Sequence, residues 1–356
     1  MFVSLVLLLL VFFPLTGYCQ DADTVKVADR SAEWLRGELY MEANHGFKHD
    51  EPVKSVWDFP HIVASAEAGL GNGWSVAAEF EYERFCEDGR WNNVFRDNFT
   101  INQLYVAKSI GKPWQVKLGI QPLPVGAVNR GAEAMTIYDP ASEAAIVPMT
   151  WHEAGVGLSW QHDAWMCQVV VPFTADLPLR RSHFVGVVSR VDYCGLLPGL
   201  QLGISGFWGS ANHGMLKDAA PENVVCLDGM ALAAFDWQYE QGGWLASGSA
   251  IVSSELNART VGCELGYDVM QLFTSPCSFR PFVRFDGIYA DITANQYTVG
   301  ANLLPFSGFS GPKKTSLLFK FLSPLCFKAQ WAVRRLCGSY TLHRWDIGVG
   351  YTIEIS

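Results

Sequence analysis

The segment NRGAEAMTIYDPASEA concentrates charge of both signs among apolar neighbours, in Arg130, Glu133, Asp139 and Glu143. Two further sets stand beside it. Glu79, Glu81 and Glu83 recur at every second residue of GWSVAAEFEYE, and Lys117, Arg280 and Arg284 lie in other strand-like segments. Such groups attract, repel and orient ions. The patterns for bond-making chemistry are missing: the sequence has no GxSxG elbow, no HExxH, no phosphate-binding loop and no dinucleotide GxGxxG. His152 beside Glu153 reads as polar chain at the base of a loop, not as a base with its partner. Of nine cysteines, eight follow Cys19 and none has C-x-x-C spacing, so neither a zinc site nor any other metal or cofactor is expected. Disulfides among the loop cysteines stay open, since the chain is read as exported.

The elements that position these charges show period-two alternation. In the C-terminal RWDIGVGYTIEIS, Trp345, Ile347, Val349, Tyr351, Ile353 and Ile355 share one face, and Asp346, Gly348, Gly350, Thr352 and Glu354 the other. The same beat sets Trp74, Val76, Ala78, Phe80 and Tyr82 against Ser75, Ala77, Glu79, Glu81 and Glu83. It also sets Trp114, Val116, Leu118 and Ile120 against Gln115, Lys117, Gly119 and Gln121. Cys167 and Cys263 fall on apolar faces, as small hydrophobes. The segments have the length that a tilted strand needs to cross a bilayer, and Trp and Tyr gather at their ends, where membrane interfaces favour such rings. An apolar face of this kind needs either a covering layer or lipid.

The links decide between the two. With strands near 32–42, 60–69, 73–85, 98–108, 113–121, 153–160, 164–172, 184–194, 200–209 and 229–240, every second link is short and rich in turn formers: GNG, SIGK, QHD, GLLPG and EQGG. The links between are long. This predicts an all-β fold, a transmembrane antiparallel up-and-down barrel with short turns on the periplasmic side and loops outside, residues 43–59 and 86–97 among them. A Greek-key sandwich has no reason to alternate so. A membrane sheet must also close, which would pair the last strand with the first. Beyond residue 240 seven more candidate strands make seventeen, an odd number, so one is surplus; residues 300 to 345 are the hardest to divide. Sixteen strands are expected, with eighteen as the alternative.

Composition agrees. The 356 residues are 17% charged with a net charge of −9, without the basic footprint of a nucleic-acid binder. The apolar run from Met1 to Phe13, followed by Pro14, reads as a signal peptide over residues 1–19, leaving residues 20–356 as one barrel domain.

Three stretches carry a likeness: LGIQPLPVG (Leu118 to Gly126), IVPMTWHEAGVGLSW (Ile146 to Trp160) and YTVGANLLP (Tyr297 to Pro305). Through them the chain resembles the porins of Gram-negative outer membranes, broadly the group that includes the phosphate-selective porins. The resemblance implies an outer-membrane location, contact with membrane lipid, often a homotrimer, and passive diffusion of small hydrophilic solutes through a water-filled lumen. Phosphate selectivity does not carry over, because lysines are few and not arrayed along successive strands.

By position, Pro122 to His152 is the third external loop, which in general porins folds inward. Its apolar runs AMTIY and AAIVPM would suit burial, and Arg130, Glu133, Asp139 and Glu143 would then charge a constriction. Glu79, Glu81, Lys117, Arg280 and Arg284 would line the lumen. The competing readings are an outer-membrane barrel enzyme of phospholipase or protease type, a long-chain fatty-acid channel and a secreted soluble β-protein.

Overall fold

The structure, a computed structural model, describes residues 33–49, 51–91, 98–130, 134–148, 151–177, 180–182, 184–211, 230–254, 258–273, 275, 277–290, 293–307, 322–337 and 340–355. The expected signal peptide and Glu133 lie outside these residues.

Sixteen strands form one closed antiparallel barrel: β1 (Glu33–His49), β2 (Ser55–Gly71), β3 (Trp74–Glu87), β4 (Phe99–Ile110), β5 (Trp114–Pro122), β6 (His152–His162), β7 (Trp165–Pro172), β8 (Phe184–Tyr193), β9 (Leu200–Ala211), β10 (Met230–Gln241), β11 (Trp244–Ser253), β12 (Ala258–Tyr267), β13 (Ser278–Tyr289), β14 (Ala294–Leu304), β15 (Leu325–Leu336) and β16 (Tyr340–Ile355). Each pairs with its neighbours in sequence. Closure comes from β1 against β16, in register from Gly37 opposite Ile355 to His49 opposite His343. The two-residue strand Arg90–Trp91 extends the β3 edge, and a separate two-stranded ribbon joins Ala175–Leu177 to Arg180–Ser182.

Side chains separate cleanly across the wall. Ile204, Trp208, Trp345 and Ile347 stand outward and are exposed, while Asp346 between the last two is buried inside. Such an exterior suits hydrocarbon, and closure leaves no unpaired edge for hydrocarbon to meet. Cys167 and Cys263 lie on this outer face, opposite Val191 and Phe285 respectively. Among the described residues six cysteines are free, and Cys194 is disulfide-bonded. At the GNG hairpin Asn72 and Gly73 take φ of 51° and 76°, the left-handed backbone that tight hairpins with the strands' own twist require.

Two expectations are corrected. The strands β1 and β2 run on to His49 and from Ser55, so most of residues 43–59 is paired strand and the link is only 50–54. The polar run ANHGFKHD hides its alternation, because a strand projecting past the lipid need not present an apolar outer face. The second correction concerns the links. Strict alternation of short and long holds only as far as β10: the turn-side link after β12 contains a 3-10 helix (Val269–Phe273), while β15 and β16 are separated by only three residues on the other side. Among the described residues six strands follow residue 241, so one of the seven candidates is surplus, as expected. Much of the indivisible stretch, residues 308–321, lies outside the described residues.

Candidate functional site

The link between β5 and β6 turns into the barrel. Leu123, Val125, Ile146, Val147 and Trp151 of this inner loop are buried against Val170, Phe184, Val188, Phe207, Met230, Leu232 and Ile251 on the inward faces of β7 to β11. The Trp151 ring packs edge-on against Phe184 and Phe207, at 4.9 and 5.0 Å between centroids. Of the two apolar runs, AAIVPM supplies Ile146 and Val147 to this seat, while Met135 and Ile137 of AMTIY are buried elsewhere along the loop.

Beyond this apolar seat, polar fastenings attach the inner loop to one strand after another. Three share a design that the sequence reading did not find: an arginine and an aspartate two residues apart, both facing inward. In β8 the Arg190 guanidinium donates to Asp192 and to Asp236 of β10 and holds the carbonyl of Gly126, with its Nη1 at 3.0 Å from that oxygen. In β13 Arg284 donates to Asp286, whose Oδ1 accepts from Ser142 Oγ at 2.6 Å and from the Ser142 backbone N–H at 3.2 Å. Ser142 lies in the one-turn helix α1 (Ala141–Ala144). In β16 Arg344 donates to Asp346 and lies 4.0 Å from the Tyr138 ring centroid.

Each pair sits over a glycine that faces its aspartate across the ladder: Gly203 opposite Asp192 and Asp236, Gly262 opposite Asp286, and Gly46 opposite Asp346. A Cβ at Gly46 would come within 2.5 Å of Asp346 Oδ1, and one at Gly203 within 2.6 Å of Asp236 Oδ1. The glycines therefore make room for a guanidinium lying flat on the sheet. The signal in the sequence was the recurrence of R-x-D in three strands, RVD, RFD and RWD, but its partner glycines are visible only once the register is known.

Between these staples, Glu264 of β12 accepts from the Met135 N–H, and Asn302 of β14 donates to the Met135 carbonyl. Gln330 of β15 accepts from the Ile137 N–H. The inner loop thus runs along the inner wall from β7 to β16 and leaves β1 to β6 largely bare. There, beneath the loop, lies a cavity of about 960 Å³ whose lining includes Arg36, Glu38, Glu67, Glu79, Lys117 and Arg130.

The predicted residues accordingly part into distinct settings. Glu79, Lys117 and Arg130 line the cavity. Lys117 extends over the Tyr105 ring at 4.6 Å, and Arg130 donates to Gln238 at 2.9 Å. Asp139 is exposed inside the barrel, in electrostatic contact with Glu81, His61, Arg284 and Glu42. Enclosure by the barrel pushes its carboxyl above the usual range, and Glu81 adds to this. Glu143 and Arg284 are buried fasteners instead. Glu143 accepts from the backbone N–H groups of Ala127 and Val128 at 3.1 Å each, and burial pushes its carboxyl up. Arg280 is at the start of β13, 4.0 Å from Asp268 and donating from Nε to Ser278 Oγ.

One centre was not foreseen in full. His61 of β2 is ringed by Glu42, Asp58, Glu81 and Glu83 at 3.0 to 4.0 Å, on the bare side of the lumen. Only Glu81 and Glu83 of this group stood out in the sequence, because the remainder gather from β1 and β2.

No family model matches the chain, and no curated protein does. Solved structures do. Vibrio cholerae OmpT with its loop L8 deleted, an outer membrane protein, superposes with a TM-score of 0.59 at 9% identity, covering 90% of this chain and 100% of that one. OmpT folded in vitro, in its trimer form, gives 0.57 at 10% identity over 90% and 100%. Pseudomonas aeruginosa OpdK with vanillate gives 0.53 at 9% identity over 90% and 99%. These likenesses are of fold.

Proposed function

We propose that the protein is a diffusion pore of a Gram-negative outer membrane, not an enzyme, passing small hydrophilic solutes with a preference for cations. The observation that carries this reading is the polar, charged cavity left along β1 to β6, inside a barrel whose exterior is apolar. A sixteen-stranded wall encloses more space than its own side chains fill, and the inner loop takes up only one side of it. The fold it shares with OmpT, an outer membrane protein of Vibrio cholerae, supports the location. OmpT's trimer form supports a homotrimer.

The sign of selectivity follows from which charges are engaged. Arg190, Arg284 and Arg344 are each spent on an aspartate. On the free wall Arg36, Lys117 and Arg130 are matched by Glu38, Glu67 and Glu79 around the cavity, and Glu42, Asp58, Glu81 and Glu83 around His61 tip the balance toward carboxylates. A wall of carboxylates favours cations, which also tells against a phosphate preference. Planar-bilayer recording with a salt gradient tests both parts. Discrete conductance with a reversal potential of cationic sign is expected; assembled barrels that conduct nothing would remove the pore, and an anionic sign would remove the selectivity.

A further inference from the structure

We propose that Asp58, His61 and Glu83 form a binding site for one divalent cation of the zinc class, set in the free wall of the lumen. Donor atoms of the three residues lie within 4.8 Å of one another. His61 Nδ1 is 3.6 Å from Asp58 Oδ2 and 3.7 Å from Glu83 Oε1. These separations are too long for hydrogen bonds. They match the edge of a coordination shell, since ligands roughly 2.1 Å from a tetrahedral ion stand roughly 3.4 Å apart.

Local structure brings the donors together. In a regular strand, residues three apart face opposite sides. A register shift in β2 between Asp58 and His61 breaks that rule: Asp58 pairs with Asn44, His61 with Glu42 and with Glu83 of β3, and both side chains face the lumen. Bulges often re-aim side chains at functional positions.

The surroundings also fit a metal. His61 Nε2 lies 3.0 Å from Glu81 Oε1, and Glu81 is itself held by Asn102 Nδ2 at 2.7 Å. With the ring proton on Nε2, the Nδ1 lone pair is free to coordinate, the carboxylate–histidine arrangement that orients metal-binding imidazoles. His61 Nδ1 and Asp58 Oδ1 are buried without a hydrogen-bond partner, although Asp58 is only 2% exposed and its other oxygen accepts from Asn44. Glu42, fixed by Tyr40 and Lys328, adds a fourth carboxylate 4.0 Å from the ring. Four carboxylates around one imidazole call for more positive charge than a proton supplies. Mixed nitrogen and oxygen donors favour zinc, cobalt or nickel over magnesium or calcium.

Only the consequence for transport rests on the pore reading: a bound ion would lie beside Asp139 and reduce the cation current. The experiment therefore has two arms on the full chain assembled in detergent or bilayer. Calorimetric titration with zinc chloride, with cobalt absorption as a second probe, should show one ion per barrel and no competition from magnesium. His61→Gln and Glu83→Gln should abolish it, Glu81→Gln should weaken it roughly 10–100-fold, and the exposed turn-side variant His162→Gln should bind like the parent. Heat-modifiable migration on a gel reports assembly of each variant, and Asp58→Asn serves if His61→Gln does not assemble. An assembled parent that binds no zinc, or binds it as well after His61→Gln, overturns the site and leaves a protonated His61 as the counter-charge. Zinc bound by barrels that do not conduct would keep the site and remove the pore.

Discussion

Asp139 is exposed inside the barrel with its carboxyl pushed up by enclosure and by Glu81. It should therefore take up a proton at a higher pH than an open aspartate does. As pH falls from about 7 to about 4, the reversal potential should move away from its cationic value early, and Asp139→Asn should lack that early part. A variant with an unchanged profile would place the titrating group elsewhere. Glu143 makes the related prediction for stability. Burial raises its native pKa, so its protonated form is favoured on folding. Its contribution is fully present below the unfolded value of about 4.3 and fades as pH rises through the native one. Glu143→Gln, which keeps the amide-sized group uncharged, should flatten the dependence of the unfolding midpoint on pH across that window. Both residues read alike in the sequence, as acids in one loop. Their different roles rest on burial: Glu143 is turned under the loop to meet two backbone N–H groups, and Asp139 is not.

At the scale of elements, the first ten strands were legible because their turn-side links are short and rich in Gly, Asn and Asp. The last six were harder, since the turn-side links grow long and those at the opposite rim shrink. Inward folding of the loop could be anticipated from its apolar content, but not the wall it would choose. That depends on Phe184, Phe207 and Met230 facing inward from strands where the lumen would otherwise be polar. The staples set the energetics. Arg284→Met would leave Asp286 and Glu264 as buried carboxylates without their cation, costing roughly 3–5 kcal/mol, and should free the middle of the loop. Gly203→Val should cost roughly 1–3 kcal/mol by crowding Arg190 and Asp236. Denaturant unfolding in detergent measures both, and two variants as stable as the parent would show that the staples do not hold the loop. Replacing residues 130–143 by a short Gly-Ser link should leave β5 and β6 paired, because their ladder runs from Trp114 opposite Trp160 to Pro122 opposite His152. Single-channel conductance should rise. An unchanged value would mean that the loop does not narrow the path.

For the whole molecule, the two faces of the wall make opposite demands. Ala78→Arg puts a charge on the outer face, at a cost of roughly 2–4 kcal/mol near the bilayer midplane, and should impair assembly. Glu79→Arg, one residue on, lines the cavity and should assemble normally while shifting the reversal potential toward anions. Equal damage from both would mean that the exterior does not meet lipid.

Among the described residues the inner loop is fastened to β7 through β16, and the surface it leaves largely uncovered is built by β1 to β6. The brace for the far wall is thus encoded between two strands of the bare one, β5 and β6. Recombination that exchanged the N-terminal portion would replace the loop together with the bare wall, so any new lining would have to bring a loop that still fits Arg190, Asp286 and Arg344.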